Sequence, residues 1–285
     1  MTATDVFIEH RTLLFALAYR MLGSRADAED VVQDAYLRWQ AVRPAEIVSP
    51  KAYLTTIVAR LALDQLKSAR RKRETYMGTW LPEPLVNAAP ERAELAESLS
   101  IAFLHLLESL TPPERAAFLL REVFEAEYSE VAGVLDTSEA NSRQLVTRAR
   151  QHLRERRPRF AVDRAKQQEV LGKFLDACGS GDMTALRSLL REDAISYSDG
   201  GGKVAAAIQP IFGADRVVRL IDGLLRKGEG ANGGYTADVN GEPGFVFTRD
   251  GQLFSVMTLD LDAAGMIRAI YTVLNPEKII SSSRR

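Results

Sequence analysis

The sequence predicts a multidomain chain in which two all-α domains precede an α+β domain with a curved antiparallel sheet. Apolar residues recur at helical spacing through most of the first 160 residues, and an arginine-rich helix follows a short turn near the middle of the chain. After residue 233 the pattern changes to alternating strands separated by turn residues. The predicted domains are 1–75 (a helical bundle), 76–95 (a linker), 96–160 (a helix-turn-helix) and 161–285 (the α+β domain).

The charge of the chain is segregated rather than large. The 285 residues carry a formal net charge of −1, yet residues 143–159 hold seven arginines and one acid, whereas residues 83–130 hold ten acids and three basic residues. Local basic patches of this kind favour nucleic acid as a partner. The single cysteine, Cys178, excludes an internal disulfide and most cysteine-based metal sites. No signal peptide or long apolar run is evident, so we expect a cytoplasmic chain without membrane contact.

Residues 27–39 form a predicted helix with an apolar stripe and an acidic stripe. The acidic positions are Asp27, Asp30 and Asp34, with Gln33 beside them. A dense acidic edge suits a basic partner surface. The alternative is that these acids only complement the helix dipole, with Ser24 as the cap. The residues alone leave both interpretations open.

Residues 51–73 form a basic helix with an apolar core face. After Lys51, its basic positions are Arg60, Lys67, Arg70, Arg71, Lys72 and Arg73, against the single acid Asp64. A solvated helix end would also favour cations. Four consecutive basic residues exceed what capping needs, so a phosphate-binding surface is favoured. The nearby aromatic residues are expected to lie mostly in the core; they are Tyr36, Trp39 and Tyr53.

A helix-turn-helix is predicted between residues 111 and 157. Thr111 and Glu114 form a capping box for a helix that ends near Phe124, and Ser129 can cap a second helix over residues 130–135. A third helix runs from Glu139 to about residue 155, and its outward side chains can reach base edges and phosphates in a major groove. The residues expected to contact DNA there are Ser138, Glu139, Asn141, Arg143, Gln144, Thr147 and Arg148.

These segments together resemble an extracytoplasmic-function sigma factor, a promoter-reading subunit of bacterial RNA polymerase, over residues 1 to about 160. The resemblance implies that region two binds the polymerase clamp, that region four binds the flap, and that residues 51–68 melt and read the −10 element. The loop 41–50 would hold a flipped base, and residues 128–147 would read the −35 element. The implied core-polymerase contacts are Asp30, Val31, Val32, Gln33 and Asp34.

One position departs from the pattern of that family. Asp136 stands in the turn of the helix-turn-helix, where many members have glycine. Aspartate tolerates a left-handed backbone better than most residues do, so the turn is still expected to form.

The last 125 residues resemble a SnoaL-like, cone-shaped fold related to nuclear transport factor two. Helices are predicted near 162–178, 182–191 and 213–227, and a strand meander over 235–240, 244–248, 253–261 and 267–274. Some members of this fold are isomerases, cyclases or hydrolases, and many enclose a pocket that could hold a small ligand. All three histidines lie outside this domain. The remaining candidate acid or base groups are Asp199, Asp238, Asp260, Asp262, Tyr197 and Tyr235. No paired carboxylates are evident, so we predict no catalysis, metal or cofactor.

Three short motifs indicate regulation by the C-terminal domain. The linker contains Trp80, Leu81, Pro82, Glu83 and Pro84, which suggests docking on another surface, although Trp80 could equally pack on its own domain. The glycine run Asp199, Gly200, Gly201, Gly202 and Lys203 lacks the Ser or Thr of a phosphate loop, so a mobile or closely approached loop is favoured. The last strand is followed by Asn275, Pro276, Glu277, Lys278 and Ile279. In this order they resemble a sigma-factor subgroup whose fused SnoaL-like extension replaces a separate anti-sigma factor, which implies that these motifs form an interdomain regulatory contact.

Two other classes of protein compete with this interpretation. A one-component regulator would bind an operator without polymerase, usually as a dimer, and would not need the acidic helix. A SnoaL-like isomerase or cyclase would need a pocket with an aspartate of raised pKa. The sigma-factor interpretation predicts a monomer when free, with core polymerase and promoter DNA as partners.

Overall fold

The structure, a computed structural model, describes residues 2–42, 47–73, 75–87, 99–154, 162–228 and 231–282. It divides into two units, one of Met1–Thr75 with Phe103–Arg157 and the other of Tyr76–Ala102 with Pro158–Arg285. The first unit combines the two predicted helical domains, and the second combines the predicted linker with the predicted α+β domain. Every helix in the described ranges is too short or too polar to span a membrane.

The N-terminal part of the first unit consists of α1 (Ala3–Leu22), α2 (Arg25–Gln40) and α3 (Pro50–Arg73), which pack against one another. α1 ends at Gly23, whose left-handed backbone (φ 68°) lets its N–H donate to the carbonyl of Tyr19. Ser24 then accepts a hydrogen bond from the amide of Asp27 and so caps α2 as predicted. The apolar stripes of the three helices form one buried core.

The rest of the first unit contains α4 (Ile101–Leu107), α5 (Pro112–Glu122), α6 (Tyr128–Leu135) and α7 (Glu139–Arg154). The capping box of Thr111 and Glu114 is confirmed. The predicted start of the second helix is wrong, because α6 begins at Tyr128 after an N-cap at Glu127 rather than after Ser129. The amide of Glu127 donates to the carboxylate of Glu130 at 2.8 Å, so a glutamate three residues further on satisfies this helix start. Asp136 adopts the expected left-handed backbone, with φ 50°.

The second unit combines helices with a six-stranded sheet. In chain order its elements are α8 (Arg164–Ser180), α9 (Met183–Leu189), β1 (Leu190–Asp199), β2 (Ile211–Phe212), α10 (Ala214–Lys227), β3 (Gly233–Val239), β4 (Glu242–Arg249), β5 (Gln252–Leu261), β6 (Ile267–Val273) and α11 (Pro276–Ser282). The strand order is β2-β1-β6-β5-β4-β3. The predicted meander is confirmed, since β3 to β6 pair in antiparallel succession. β1 lies parallel to β6, so the sheet is mixed rather than wholly antiparallel as predicted.

The two faces of this sheet pack against different parts of the second unit. One face packs against α8, α9 and α10 through residues such as Phe174, Met257 and Leu259. The opposite face shares its core with Leu81, from the predicted linker, and with Ile101, the first residue of α4. Because side chains alternate across a strand, one sheet can bury both sets. The predicted linker is therefore part of the hydrophobic core of the second unit.

Candidate functional site

The acidic surface of α2 is narrower than the sequence predicts. Asp30, Gln33 and Asp34 are exposed, whereas Val31 and Val32 are buried, at 3% and 2% exposure. Asp27 accepts a hydrogen bond from Gln65 at 2.8 Å, which ties α2 to α3. Of the five residues implied in polymerase binding, the two valines thus lie in the core, and the three polar side chains remain at the surface.

The basic surface of α3 is partly engaged within the first unit. Arg60 is exposed, but its guanidinium donates to the carbonyl of Gly133 in α6 at 2.5 Å. Lys67 pairs with Asp64 at 3.3 Å, and both side chains are more than half exposed. The side chains of Arg70 and Arg71 lie outside the described residues, as do positions 43–46 of the predicted base-binding loop.

The three aromatic residues near α3 were expected to lie mostly in the core, and only one of them is fully buried. Trp39 is fully buried, and its indole donates to the carbonyl of Ala3 at 2.7 Å. The ring of Tyr53 lies 6.0 Å from that of Trp39, and the ring of Tyr36 lies 4.9 Å from that of Phe7. Trp39 is therefore a core residue, and the two tyrosines are half-buried.

α7 presents a polar, basic face to solvent. Ser142, Val146 and Ala149 are buried against the rest of the helix-turn-helix. The ring of Tyr128 supports the guanidinium of Arg143, which also pairs with Glu139 at 3.1 Å. The predicted DNA contacts are all exposed; they are Ser138, Glu139, Asn141, Arg143, Gln144, Thr147 and Arg148.

In the second unit, the three motifs meet at one buried carboxylate. Asp199, at the end of β1, is fully buried. It accepts hydrogen bonds from the hydroxyl of Tyr76 at 2.5 Å, the amide of Leu81 at 2.9 Å and the amide of Gly201 at 3.0 Å. The ammonium of Lys278 lies 2.6 Å from it and completes an ion pair. Charge-assisted bonds of this kind are the strong ones, so Asp199 fastens the linker to the sheet and to α11.

Lys278 adds aromatic contacts to this ion pair. Its ammonium lies 4.2 Å from the ring centroid of Trp80 and 5.1 Å from that of Tyr76, and it also donates to the carbonyl of Leu81. Cation–π attraction strengthens when the groups are withdrawn from water. Burial and the neighbouring Asp199 raise the pKa of Tyr76, so this phenol remains protonated and donates at physiological pH.

The glycine run lets the loop backbone come close to the side chains of Asn275 and Met77. A Cβ on Gly201 would lie 2.3 Å from Nδ2 of Asn275, and Gly201 has φ +62°. A Cβ on Gly202 would lie 3.2 Å from the side chain of Met77 in the linker. The alternative of a closely approached loop is thereby confirmed. Lys203, at the end of the run, pairs with Glu277.

Two residues that hold the linker were not assigned by sequence reasoning. Tyr76 bridges Asp199 and Asn275, whose Nδ2 donates to the Tyr76 hydroxyl at 2.9 Å. Asn240 is buried in the turn after β3, accepts from the amide of Leu85 at 2.8 Å and donates to the carbonyl of Leu99 at 2.9 Å. The Asn240-Gly241 pair is a hairpin signal, but nothing in it indicates that the side chain binds a distant segment.

The candidate acid and base groups of the second unit are held by neighbours. Asp260 pairs with Arg268, and burial raises the pKa of its carboxyl. Asp238 pairs with Arg164 at 2.8 Å. Tyr197 stacks on the buried Tyr271 with ring centroids 5.1 Å apart. Asp262 accepts from turn amides, and Tyr235 is half exposed. Among the described residues, no cluster of His, Cys, Asp or Glu could hold a metal ion.

Comparison with known proteins gives a consistent result. Residues 6–72 match the family model of Sigma-70 region 2, and residues 100–153 match Sigma-70, region 4. The chain is 38% identical over 291 residues to the ECF RNA polymerase sigma factor SigJ of Mycobacterium tuberculosis, a match that covers 95% of this chain and 91% of SigJ. It is 30% identical over 275 residues to the probable ECF RNA polymerase sigma factor SigI of the same organism, covering 95% of this chain and 92% of SigI.

A solved structure is also similar over nearly the whole length. The crystal structure of the M. tuberculosis extracytoplasmic function sigma factor SigJ matches with a TM-score of 0.79 and 36% identity, covering 99% of this chain and 100% of that one.

Proposed function

The chain belongs to the extracytoplasmic-function sigma factors, which bind core RNA polymerase and promoter DNA to initiate transcription, and we propose that its C-terminal domain regulates this activity by holding the linker between regions two and four. The observation that carries the proposal is the buried Asp199, which is hydrogen-bonded or paired to Tyr76, Leu81 and Lys278. This chemistry joins the linker to the C-terminal domain through charge-assisted bonds to a fully buried carboxylate.

A docked linker limits how far region two and region four can separate. Extended chain spans at most about 3.4 Å per residue, so residues 76–102 could in principle reach roughly 90 Å. Hydrogen bonds at Leu81, Leu85 and Leu99 fasten that segment to the second unit instead. We therefore propose that the docked state restrains initiation and that release of the linker relieves the restraint.

The polymerase and promoter contacts form the second part of the proposal. Region two would bind the clamp through Asp30, Gln33 and Asp34, whose side chains are exposed on α2. Region four would bind the flap and read the −35 element through the exposed face of α7. Arg60 and Lys67 of α3 would contact the backbone of the −10 element, as would Arg70 and Arg71. We propose that the protein acts with polymerase and DNA in the cytoplasm.

A small ligand can regulate the protein only if its affinities for the docked and the released states of the linker differ. A molecule that binds the second unit more tightly when the linker is released would raise activity, and one that prefers the docked state would lower it. Catalysis is not part of the proposal, because Asp199, Asp238 and Asp260 are each held by a cationic side chain.

Run-off transcription with core polymerase tests the proposal on the full chain. Asp199→Asn removes the charge that Lys278 pairs with, and we expect it to raise the run-off yield several-fold because the linker is released. Asp193→Asn is the matched control, since Asp193 lies on the same strand but is exposed and pairs with Arg191. Equal yields from both variants and the parent chain would refute the regulatory role, whereas a lower yield for Asp199→Asn would reverse its sign.

A point variant is a better probe than truncation near residue 160. Truncation would remove the sheet and leave Leu81 and Ile101 without the core in which they are buried. Any change in transcription could then come from exposed apolar surface rather than from lost regulation. Trp80→Ala gives a second full-length test, because it removes the ring that lies over Lys278.

A further inference from the structure

An aromatic side chain outside α7 lies against an arginine on the DNA-facing surface of that helix. The ring centroid of Tyr128, the first residue of α6, is 4.7 Å from the guanidinium of Arg143 in α7. A second guanidinium, that of Arg121 in α5, lies 4.8 Å from the same centroid. Three helices of region four thus each contribute one side chain, and we refer to Arg121, Tyr128 and Arg143 as the Tyr128 cluster.

The two arginines of the Tyr128 cluster have different surroundings. Arg121 is tied to the connection between α5 and α6, because its Nη1 donates to the carbonyl of Ala126 at 2.9 Å and lies 3.6 Å from the carboxylate of Glu127. The side chain of Arg121 is 30% exposed, whereas that of Arg143 is 55% exposed. Arg121 therefore belongs to the protein scaffold, and Arg143 is available to a ligand.

Arg143 has a second neighbour on its own helix. Its Nη2 donates at 3.1 Å to the carboxylate of Glu139, which lies one turn earlier in α7. Both side chains are about half exposed, and an ion pair this exposed holds a guanidinium only weakly. The ring of Tyr128 adds a contact that α7 alone cannot supply. A side chain restricted in this way loses less conformational entropy when it binds a ligand.

The position of Arg143 on α7 suits it to reading a base. The residues near the N-terminus of a recognition helix contact base edges, and Arg143 is the fifth residue of α7. A guanidinium can donate two parallel hydrogen bonds to O6 and N7 of guanine, which is the commonest specific contact in the major groove. This bidentate contact requires an oriented guanidinium plane, and a ring that lies against the plane restricts its orientation.

Arg148, further along the same helix, provides the contrast. It is exposed, and within the described ranges its side chain takes part in no ion pair or ring contact. A guanidinium whose orientation is not restricted still attracts a phosphate, but phosphate contacts carry no sequence information. α7 therefore presents one arginine that is held by its neighbours and one that is not.

We propose that Tyr128 is a positioning residue for promoter reading, which orients Arg143 so that Arg143 selects a guanine at one position of the −35 element. The inference rests on the proposed reading of that element by α7, and it is independent of the linker contact at Asp199. A residue that only packs within region four would affect all promoter sequences alike. A positioning residue affects the preference at a single base pair, and this difference separates the two roles.

The test is a selection of promoter duplexes by the full-length chain bound to core polymerase. The duplexes are randomised over both promoter elements, and sequencing of the bound fraction gives the base preference at each position. Arg143→Ala should lose a preference for guanine at one position of the −35 element. The expected loss is roughly five- to 150-fold, the discrimination that a bidentate contact provides.

Variants of Tyr128 then test the positioning role. Tyr128→Leu should lower the preference at that same position by about two- to fivefold, because the attraction between ring and cation is lost, and should leave the other positions unchanged. Tyr128→Phe keeps the ring and should keep the preference. Tyr128→Met, which also lacks a ring, gives the same measurement if Tyr128→Leu does not fold. Arg148→Gln is the control, since it should weaken binding to all sequences alike and reduce the dependence of affinity on salt.

Three results would overturn the proposal while the parent chain still selects a −35 sequence. Arg143→Ala could keep every base preference, or the folded ring-less variants of Tyr128 could keep the preference that Arg143→Ala loses. Alternatively, these Tyr128 variants could weaken all sequences equally, as Arg148→Gln does, which would mean that Tyr128 only packs within region four. A parent chain without any base preference in the −35 region would instead contradict the proposed function of α7, and this inference with it.

Discussion

The junction of regions two and four and the docking site of the linker are built from different chemistry. In the first unit the polar ties are guanidinium groups on backbone carbonyls, and the outermost of them, Arg60, is exposed. In the second unit five consecutive residues from Leu81 to Leu85 are buried, and Leu81 joins the apolar core of the sheet. Beside it Lys278 pairs with Asp199 and lies against the rings of Tyr76 and Trp80. Water can replace a carbonyl as the partner of an arginine, but it cannot replace an apolar core. We therefore expect the contact between regions two and four to open far more readily than the docking site of the linker.

The largest loss of stability should come from removing the cation of Lys278, which pairs with Asp199 at the docking site of the linker. Lys278→Met leaves the buried Asp199 without its counter-charge, and breaking a buried pair from one side costs about 3–5 kcal/mol. Urea unfolding followed by near-UV circular dichroism would measure this loss. Lys173→Met is the control, because Lys173 pairs with Glu169 on an exposed helix face. If the double variant Asp199→Asn/Lys278→Met were no more stable than Lys278→Met, the two residues would not be coupled as described.

A similar or smaller loss of stability is expected when Leu81, the buried apolar residue of the linker, is truncated. Leu81 is fully buried against the sheet, and Leu81→Ala should destabilise the second unit by about 2–5 kcal/mol through lost burial and a cavity. Native-state hydrogen exchange can assign the loss to the second unit. Leu37→Ala, at a position 57% exposed in the first unit, should change stability little. Unchanged protection of β5 and β6 in Leu81→Ala would argue against the shared core.

The glycine run offers a smaller and more local perturbation. Gly201→Ala places a methyl group against Asn275 at a positive φ, and we expect a cost of about 1–3 kcal/mol, as for strained backbone elsewhere. The fluorescence of Trp80 should report partial release of the linker. Gly172→Ala, inside α8 with no described atom within 4 Å of the new methyl group, should instead stabilise by up to about 1 kcal/mol. Equal effects of the two changes would refute the close approach.

The smallest effect concerns Cys178 in α8, whose alkylation rate reports opening of the second unit without any substitution. Burial raises the pKa of its thiol to about 11. Since the folded pKa lies above the unfolded value, this group favours folding at pH below the unfolded pKa, and that stability is lost as the pH rises toward 11. Alkylation at pH 8 should be at least about a hundredfold slower in the folded protein than in urea, where the pKa returns to about 8.5. Leu81→Ala should speed it, and a rate that is equally fast in the folded parent chain would contradict the burial.

Local sequence signals were sufficient for much of the fold. The capping box at Thr111, the left-handed Asp136 and the meander after residue 233 depend on neighbours in sequence, and each is confirmed. The predictions were wrong where more than one residue could satisfy a local rule, or where a distant pairing decided the outcome. Glu127 took the N-cap position from Ser129, and β1 joined the sheet in parallel through a distant pairing with β6 that periodicity does not encode.

The sequence identified the separate motifs of the candidate site but not the contacts that join them. The short motifs around Trp80, Asp199 and Lys278 could be singled out in order, because glycine, proline and tryptophan are unusual where they stand. Nothing local indicated that Tyr76 and Asn240 would hold the linker, or that Val31 and Val32 would lie in the core while Asp30 and Asp34 remain exposed.

The sequence by itself determined which helices and strands form, where charge accumulates and which family the chain resembles, because propensity, capping and periodicity act over a few residues. Only the tertiary structure decided that Asp199 pairs with Lys278, that Leu81 completes the core of the second unit, and that Arg115 caps a helix of region two. These contacts join residues 79 to 197 positions apart, and their partners are selected by burial and by unsatisfied hydrogen-bonding groups that exist only once the chain has folded.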